Sequence, residues 1–424
     1  MSHAKISIVR NGIEMFIRSK DLWKIFIQIS LITFGLEYSY AQSRLEGVTP
    51  IPVGEGNLFI SSSFGFSSND NTFLSSNAEQ SSEGVFFEPR LLFETEKGSA
   101  RFQAVYDGAL GEFSDPILDF LNHDFQARGS VGLSNRLNVG GSLGVLRRNI
   151  EVGSDPTQLI INEPVSIQDA RFELFARYGA RNARGNLRGR IRFFDHTRSR
   201  SEFLVNQTSE DFFLVEPSIE LGIRLSPDTR FVLGTRFGVF DFSESSLDRS
   251  ISTFLLGIEL SPTGKLSGSA RIGLARTFFD DDTNTDTNEV ILESAIDYEI
   301  SRISSIRLEA DRRLDNQDGS GIDFTTAGVI FDDFSISWSH SWRPRFSTTL
   351  TAALLSVERD CPGTSADRIT YSLNTRFTIS RKVSLGVSAS RDSRNGDICS
   401  DSPDETDAPD YDRLITRVNL RVLL

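Results

Sequence analysis

The sequence predicts an all-β protein, a transmembrane antiparallel up-and-down β-barrel of about eighteen strands. Three observations predict it. Apolar and polar residues alternate at period two almost without interruption from about Asn57 onward. The connections between alternating segments are short and long in turn. Beyond the N-terminal leader, no stretch is apolar enough for a spanning helix of ~20 residues, so a membrane could be crossed only by strands, which must then close on themselves.

In chain order, the leader comes first. A mostly apolar run from Ile25 to Leu36 follows Arg18, Lys20 and Lys24 and precedes Ser39-Tyr40-Ala41, small residues at the positions signal peptidase reads. Residues 1–41 are therefore expected to be a signal peptide, with Met15 as an alternative start and a membrane anchor as the alternative role. Residues 42–56 are expected to be a short periplasmic segment, too short for a plug domain. The barrel is expected to occupy 57–424.

Eighteen alternating segments begin near residues 57, 85, 100, 124, 137, 169, 186, 211, 230, 250, 265, 288, 305, 324, 345, 368, 382 and 412. Most have the length a tilted crossing strand of ~9–11 residues needs. One set of examples is Leu187, Gly189, Ile191 and Phe193 set against Arg188, Arg190 and Arg192. The fourteenth segment, Phe324 to Ser341, is too long for one regular strand and calls for a bulge or loop near Asp332-Asp333. Different pairing there would give sixteen strands.

Tight turns are expected at Lys97-Gly98, Asn135-Arg136, Pro227-Asp228, Pro262-Gly264, Arg343-Pro344 and Arg381-Lys382, and long loops at Ser67–Gly84, Arg148–Gln168, Phe279–Thr287 and Arg391–Asp412. Short turns on one rim and long loops on the other are the arrangement of bacterial outer-membrane barrels, and an even strand number returns both termini to the short-turn rim.

Soluble sandwiches and propellers alternate too. A closed barrel of this size, however, leaves a lumen too wide for side chains to fill, so the apolar face must point to lipid. Apolar-face aromatics near strand ends would form two interfacial girdles, with Phe93, Tyr178, Phe231, Tyr298, Trp338 and Phe346 near the short turns and Tyr106, Phe125, Phe172 and Phe213 near the long loops. The chain ends on Leu414, Thr416, Val418, Leu420, Val422 and Leu424 alternating with Arg417, Asn419 and Arg421. That ending resembles the C-terminal signal read by the outer-membrane assembly machinery, although the usual last residue is aromatic.

The formal charge of −13, from 45 Lys and Arg against 58 Asp and Glu, together with scattered basic residues, excludes a general nucleic-acid binder. The four histidines make no metal-ligand pair at useful spacing, and no nucleophile elbow or phosphate loop occurs in a suitable context. No catalytic residue, metal or cofactor is expected. Asp280-Asp281-Asp282 with Asn284 and Asp286 lacks EF-hand spacing and reads as a solvated acidic loop.

The expected pore lining carries mixed charge, with Arg171, Glu173, Arg177, Arg188, Arg190, Arg192, Glu216, Glu220, Arg224 and Arg236 as its candidate functional residues. The Arg188/Arg190/Arg192 row could guide anions or sugars, or it could pair with the acids to stiffen the wall.

The start of the mature chain has Pro50-Ile51-Pro52-Val53-Gly54 leading into Leu58–Phe66 and Ser68-Asn69-Asp70-Asn71, and its last strand follows Asp410-Tyr411-Asp412. With these features it resembles the outer-membrane β-barrel porins found with exopolysaccharide export systems. The resemblance implies a passive conduit for a secreted polysaccharide, or for small hydrophilic solutes, in the outer membrane of a Gram-negative bacterium. Its partners would be membrane lipid, the assembly machinery and components of polysaccharide export. A structural or adhesive barrel with partner-binding acidic loops is the alternative.

Cys361 and Cys399 fall in neighbouring long loops, and an exported chain matures where disulfides persist. A Cys361–Cys399 bond is expected. Alkylation of the denatured, unreduced protein should add no label, followed by mass analysis after reduction in which both thiols react. Two labelled thiols before reduction would refute the bond.

Overall fold

The computed structural model describes residues 50–72, 80–149, 166–180, 183–198, 211–243, 247–261, 264–281, 286–314, 330–358, 365–396 and 410–424. The leader and most of the segment 42–56 therefore lie outside the described residues. A short strand β1 (Ile51–Val53) precedes eighteen long ones. These are β2 (Gly56–Asn69), β3 (Ser82–Lys97), β4 (Ala100–Phe113), β5 (Phe120–Gly132), β6 (Leu137–Asn149), β7 (Ser166–Tyr178), β8 (Gly185–Arg198), β9 (Phe212–Arg224) and β10 (Thr229–Phe242). They continue with β11 (Arg249–Leu260), β12 (Leu266–Phe279), β13 (Thr287–Ser301), β14 (Ser304–Leu314), β15 (Ile330–Arg343), β16 (Phe346–Glu358), β17 (Ser365–Thr378), β18 (Val383–Gly396) and β19 (Tyr411–Leu423). A 3-10 turn at Pro116–Leu118 joins β4 to β5.

Every long strand pairs antiparallel with its sequence neighbours, and β19 pairs with β2 from Ile415↔Asn69 to Leu423↔Ser61. The barrel is thus closed with eighteen strands, which settles the count against sixteen. Where β19 runs out, Leu424 N–H donates to the Ile60 carbonyl at 3.0 Å. Below that point β1 takes over the same edge of β2, pairing Ile51 with Leu58 and Val53 with Gly56. Gly54, at φ 60°, makes the reversal between them. The N-terminal segment therefore completes the seam instead of merely leading into it, which alternation over three residues could not reveal.

Paired residues share a face, so the ladder assigns every position to one wall. Phe64, Ile219, Leu274 and Tyr371 are all more than half exposed on the outer face, where lipid replaces the missing core. All ten aromatics expected in the girdles fall on this outer parity.

One expectation about the fourteenth strand is corrected. The fourteenth barrel strand, β15, is described from Ile330, and the expected start near Phe324 lies among residues 315–329, outside the described set. No bulge occurs at Asp332-Asp333. Arg312↔Asp332 and Asp311↔Asp333 are regular pairs, because Asp332 takes the Arg312 guanidinium on the outer face at 2.6 Å while Asp333 points inward. The irregularity lies instead between Ser341 and Arg343, at the short-turn end.

The lumen is also not uniformly polar. Toward the long loops, inward residues of β8 to β13 build an apolar cluster that includes Phe194, Phe212, Leu214, Phe240, Phe242 and Ile251, capped by Leu247 from the connection before β11. Phe212 contacts Phe240 and Phe242 at ring separations of 5.6 and 5.3 Å. The Arg249 guanidinium stacks 4.7 Å from Phe242, a cation–π contact that lets a charged group sit within the cluster. Burial of each such side chain contributes about 1.5–3 kcal/mol. Leu214 is fully buried here. Leu214→Ala should lower stability by about 2–5 kcal/mol, measured by denaturant titration in lipid, whereas truncation of the exposed Leu274 should cost much less.

Candidate functional site

Below the apolar cluster the inner wall becomes a lattice of arginines and glutamates, placed by alternate residues of β7 to β13. Register sets the lattice. Glu173 lies opposite Arg192, Arg192 opposite Glu216, and Arg188 opposite Glu220. Side chains then bridge these rows. Glu216, only 4% exposed, accepts from Arg190 at 3.3 Å and from Arg192 at 3.1 Å. Arg190 also approaches Glu173 at 3.7 Å, and Arg188 bonds Glu220 at 3.1 Å.

Arg271 on β12 ties in the far strands, meeting Glu259 at 2.8 Å and Glu220 at 3.2 Å. Glu220 is three strands away, and the span is open because inward positions between them are Gly234 on β10 and Gly257 on β11. A Cβ on Gly257 would stand 2.7 Å from Arg271 Cγ. Here glycine serves close approach, not backbone freedom. Arg236 pairs with Glu293 of β13. Together these groups line a cavity of about 590 Å³.

The structure places the ten expected residues as follows. Glu173, Arg177, Arg188, Arg190, Arg192, Glu216, Glu220 and Arg236 line that one cavity. Arg171 sits higher, bonded to Asp169 at 3.1 Å and 5.0 Å from the Phe194 ring. Arg224 lies at the short-turn end and donates to the Ser226 and Pro227 carbonyls. The Arg188/Arg190/Arg192 row is therefore neutralised by acids on adjacent strands and is not a strip of bare cations. Cys361 and Cys399 lie outside the described residues.

One buried polar pair escaped the sequence reading. His196 and Asp169, each 1% exposed, meet at 2.7 Å, with His196 stacked on Phe212 at 5.2 Å. The two are opposite one another across β7 and β8. Their inward parity was the available signal, but burial came from the apolar cluster beside them, which no local pattern announces. No group of three or more metal-ligating side chains exists among the described residues.

In sequence, the family described as Putative beta-barrel porin 2 matches residues 51–422. No curated protein matches the chain. In structure it is similar to OccK11 (OpdR) of Pseudomonas aeruginosa, at 13% identity and a TM-score of 0.44, covering 89% of this chain and 99% of that one. It is also similar to the FrpB iron transporter of Neisseria meningitidis in apoprotein form, at 8% identity and a TM-score of 0.47 over 88% and 82% of the two chains. A third similar structure is a bacterial polysaccharide outer membrane secretin, at 9% identity and a TM-score of 0.36 over 88% and 100%.

Removing Glu216 would leave two guanidiniums, each about a quarter exposed, short of an acceptor. Glu216→Ala should therefore destabilise the barrel by about 2–4 kcal/mol, the low side of the range for breaking a buried pair because water still reaches the arginines. Denaturant titration measures this, and Glu216→Ala combined with Arg192→Ala should recover part of the loss.

Proposed function

The chain belongs to the family described as Putative beta-barrel porin 2, and from that premise we propose that it is a passive conduit carrying hydrophilic solutes, or a secreted polysaccharide, through its charged lumen. It is an outer-membrane β-barrel of porin or transporter type. The observation that carries the proposal is the arginine- and glutamate-lined cavity inside a closed ladder. Such a lining offers charge-assisted donors and acceptors to a solute that leaves bulk water, which lowers the barrier to entry without a deep binding well.

Polysaccharide is the finer part of this reading. A saccharide chain presents hydroxyls along its length, and the lumen answers with guanidiniums, carboxylates and, on β16 to β2, hydroxyl side chains such as Thr349, Thr351, Ser372, Ser388 and Ser390. On this reading the protein works beside polysaccharide export components, after residues 1–41 are removed and β19 is read by the assembly machinery. Nothing in it requires a chemical step.

The purified barrel in a planar bilayer should pass a stable, open, ohmic current, and proteoliposomes containing it should swell in isotonic neutral oligosaccharide. A folded barrel, identified by its heat-modifiable migration on unboiled gels, that passes no current would refute the conduit and favour the adhesive role.

A further inference from the structure

Two opposite sectors of the lumen treat their arginines differently. In an eighteen-stranded ring, β10 and β19 stand nine strands apart, on facing walls. Around β10 the arginines are locked to glutamates, as described above. Around β19 they have almost no acids to meet. The inward positions of β17, β18, β19 and β2 carry Arg368, Arg376, Arg394, Arg413, Arg417 and Arg421 against one acid, Asp392. Asp392 is taken by Arg413 at 2.8 Å near the long loops. Between these arginines the wall is mostly small and hydroxylic or amidic, including Ser372, Asn374, Ser388, Ser390 and Asn419, with Ile415 and Tyr411 toward the long loops and Phe59 and Leu423 toward the short turns.

The lower half of the wall is the part that matters for a solute. Arg376 and Arg417 are exposed and Arg421 is half-buried. Neither Arg376 nor Arg421 forms an ion pair or side-chain hydrogen bond with a described residue. The charges acting on Arg421 are Arg376, Arg90, Asp107 and Glu88. Asp107 lies 3.5 Å from Arg90, which leaves Glu88 as the acid facing Arg417 and Arg421 from the neighbouring β3. Cationic charge held together in this way, with small side chains between, is a place where a mobile anion replaces the missing fixed partners.

We propose that the β17–β19–β2 wall is the anion-conducting face of the lumen, with Arg376 and Arg421 as its selectivity-determining residues, and that the favoured solutes are hydroxylated anions bearing carboxylate or phosphate. The guanidiniums take the anionic group in bidentate fashion, and the serines and asparagines take the hydroxyls. The glutamate-locked wall opposite contributes shape and rigidity. This inference rests on the conduit reading and adds to it the class of solute and the wall that recognises it.

The test is the zero-current potential of the wild-type barrel in a potassium chloride gradient across a planar bilayer, repeated for R376Q/R421Q and R376E/R421E. Wild type should favour chloride over potassium by roughly 3–10-fold. The glutamine pair should bring the ratio toward one, and the glutamate pair should invert it. Added galacturonate should reduce the wild-type chloride current more than equal galactose does, and the difference should vanish in R376Q/R421Q. Heat-modifiable migration of each variant reports that the barrel has folded. If wild type conducts and the ratio stays unchanged in the folded glutamate variant, the wall assignment is wrong while the conduit stands. If folded wild type passes no current, the conduit reading fails and takes this inference with it.

Discussion

In a bilayer, a backbone N–H or C=O without a partner costs several kcal/mol, and no water is present to supply one. A sheet placed there has to remove its own edges. For this chain the removal happens at one seam, where β19 meets β2 along Ile415↔Asn69 to Leu423↔Ser61. The first residues of β2, which β19 does not reach, are completed by the Leu424 N–H and by β1. The segment Ile51–Val53 and the C-terminal strand are thereby both used for closure, on the short-turn rim. The other seventeen strand pairings are local hairpins between consecutive segments, whereas the seam joins residues at opposite ends of the sequence, so the whole ladder must be in register before it can form.

Closure sets the interior problem. Eighteen strands enclose more space than their side chains fill, and the chain handles that space in three ways. Near the long loops, phenylalanines and leucines of β8 to β13 pack on one another and exclude water. Below them arginines and glutamates of the same strands neutralise one another, with Arg271 reaching over Gly234 and Gly257 to Glu220. On the facing wall, β16 to β2 present short hydroxyl and amide side chains and leave arginines projecting. Apolar packing and ion pairing fill one sector of the lumen, and the sector opposite, with mostly short side chains, leaves space.

The two sectors also separate what a charge in a barrel can do. Glu216, buried and shared by Arg190 and Arg192, is a cross-strand strut whose effect is felt mainly as stability. Arg376 and Arg421 have small neighbours and no such strut among the described residues. Both kinds of residue look the same in a strand pattern, as a charged residue on the polar parity.

The sequence by itself determined the strands, their order and which face of each meets lipid. Period-two alternation is a local property, and the alternation of turn and loop lengths leaves little choice of neighbour. It also placed all ten candidate lining residues on the inward parity, because parity follows from register alone. It misjudged the start of β15, where adjacent aspartates looked like a bulge but divide between the two faces, one of them held by Arg312. Only the tertiary structure decided which inward arginines are neutralised. That depends on whether residues one to three strands away are glutamates, serines or glycines at the same height. It likewise decided that β1 finishes the seam and that His196 and Asp169 are buried together, since burial inside a barrel comes from side chains converging across strands far apart in the chain.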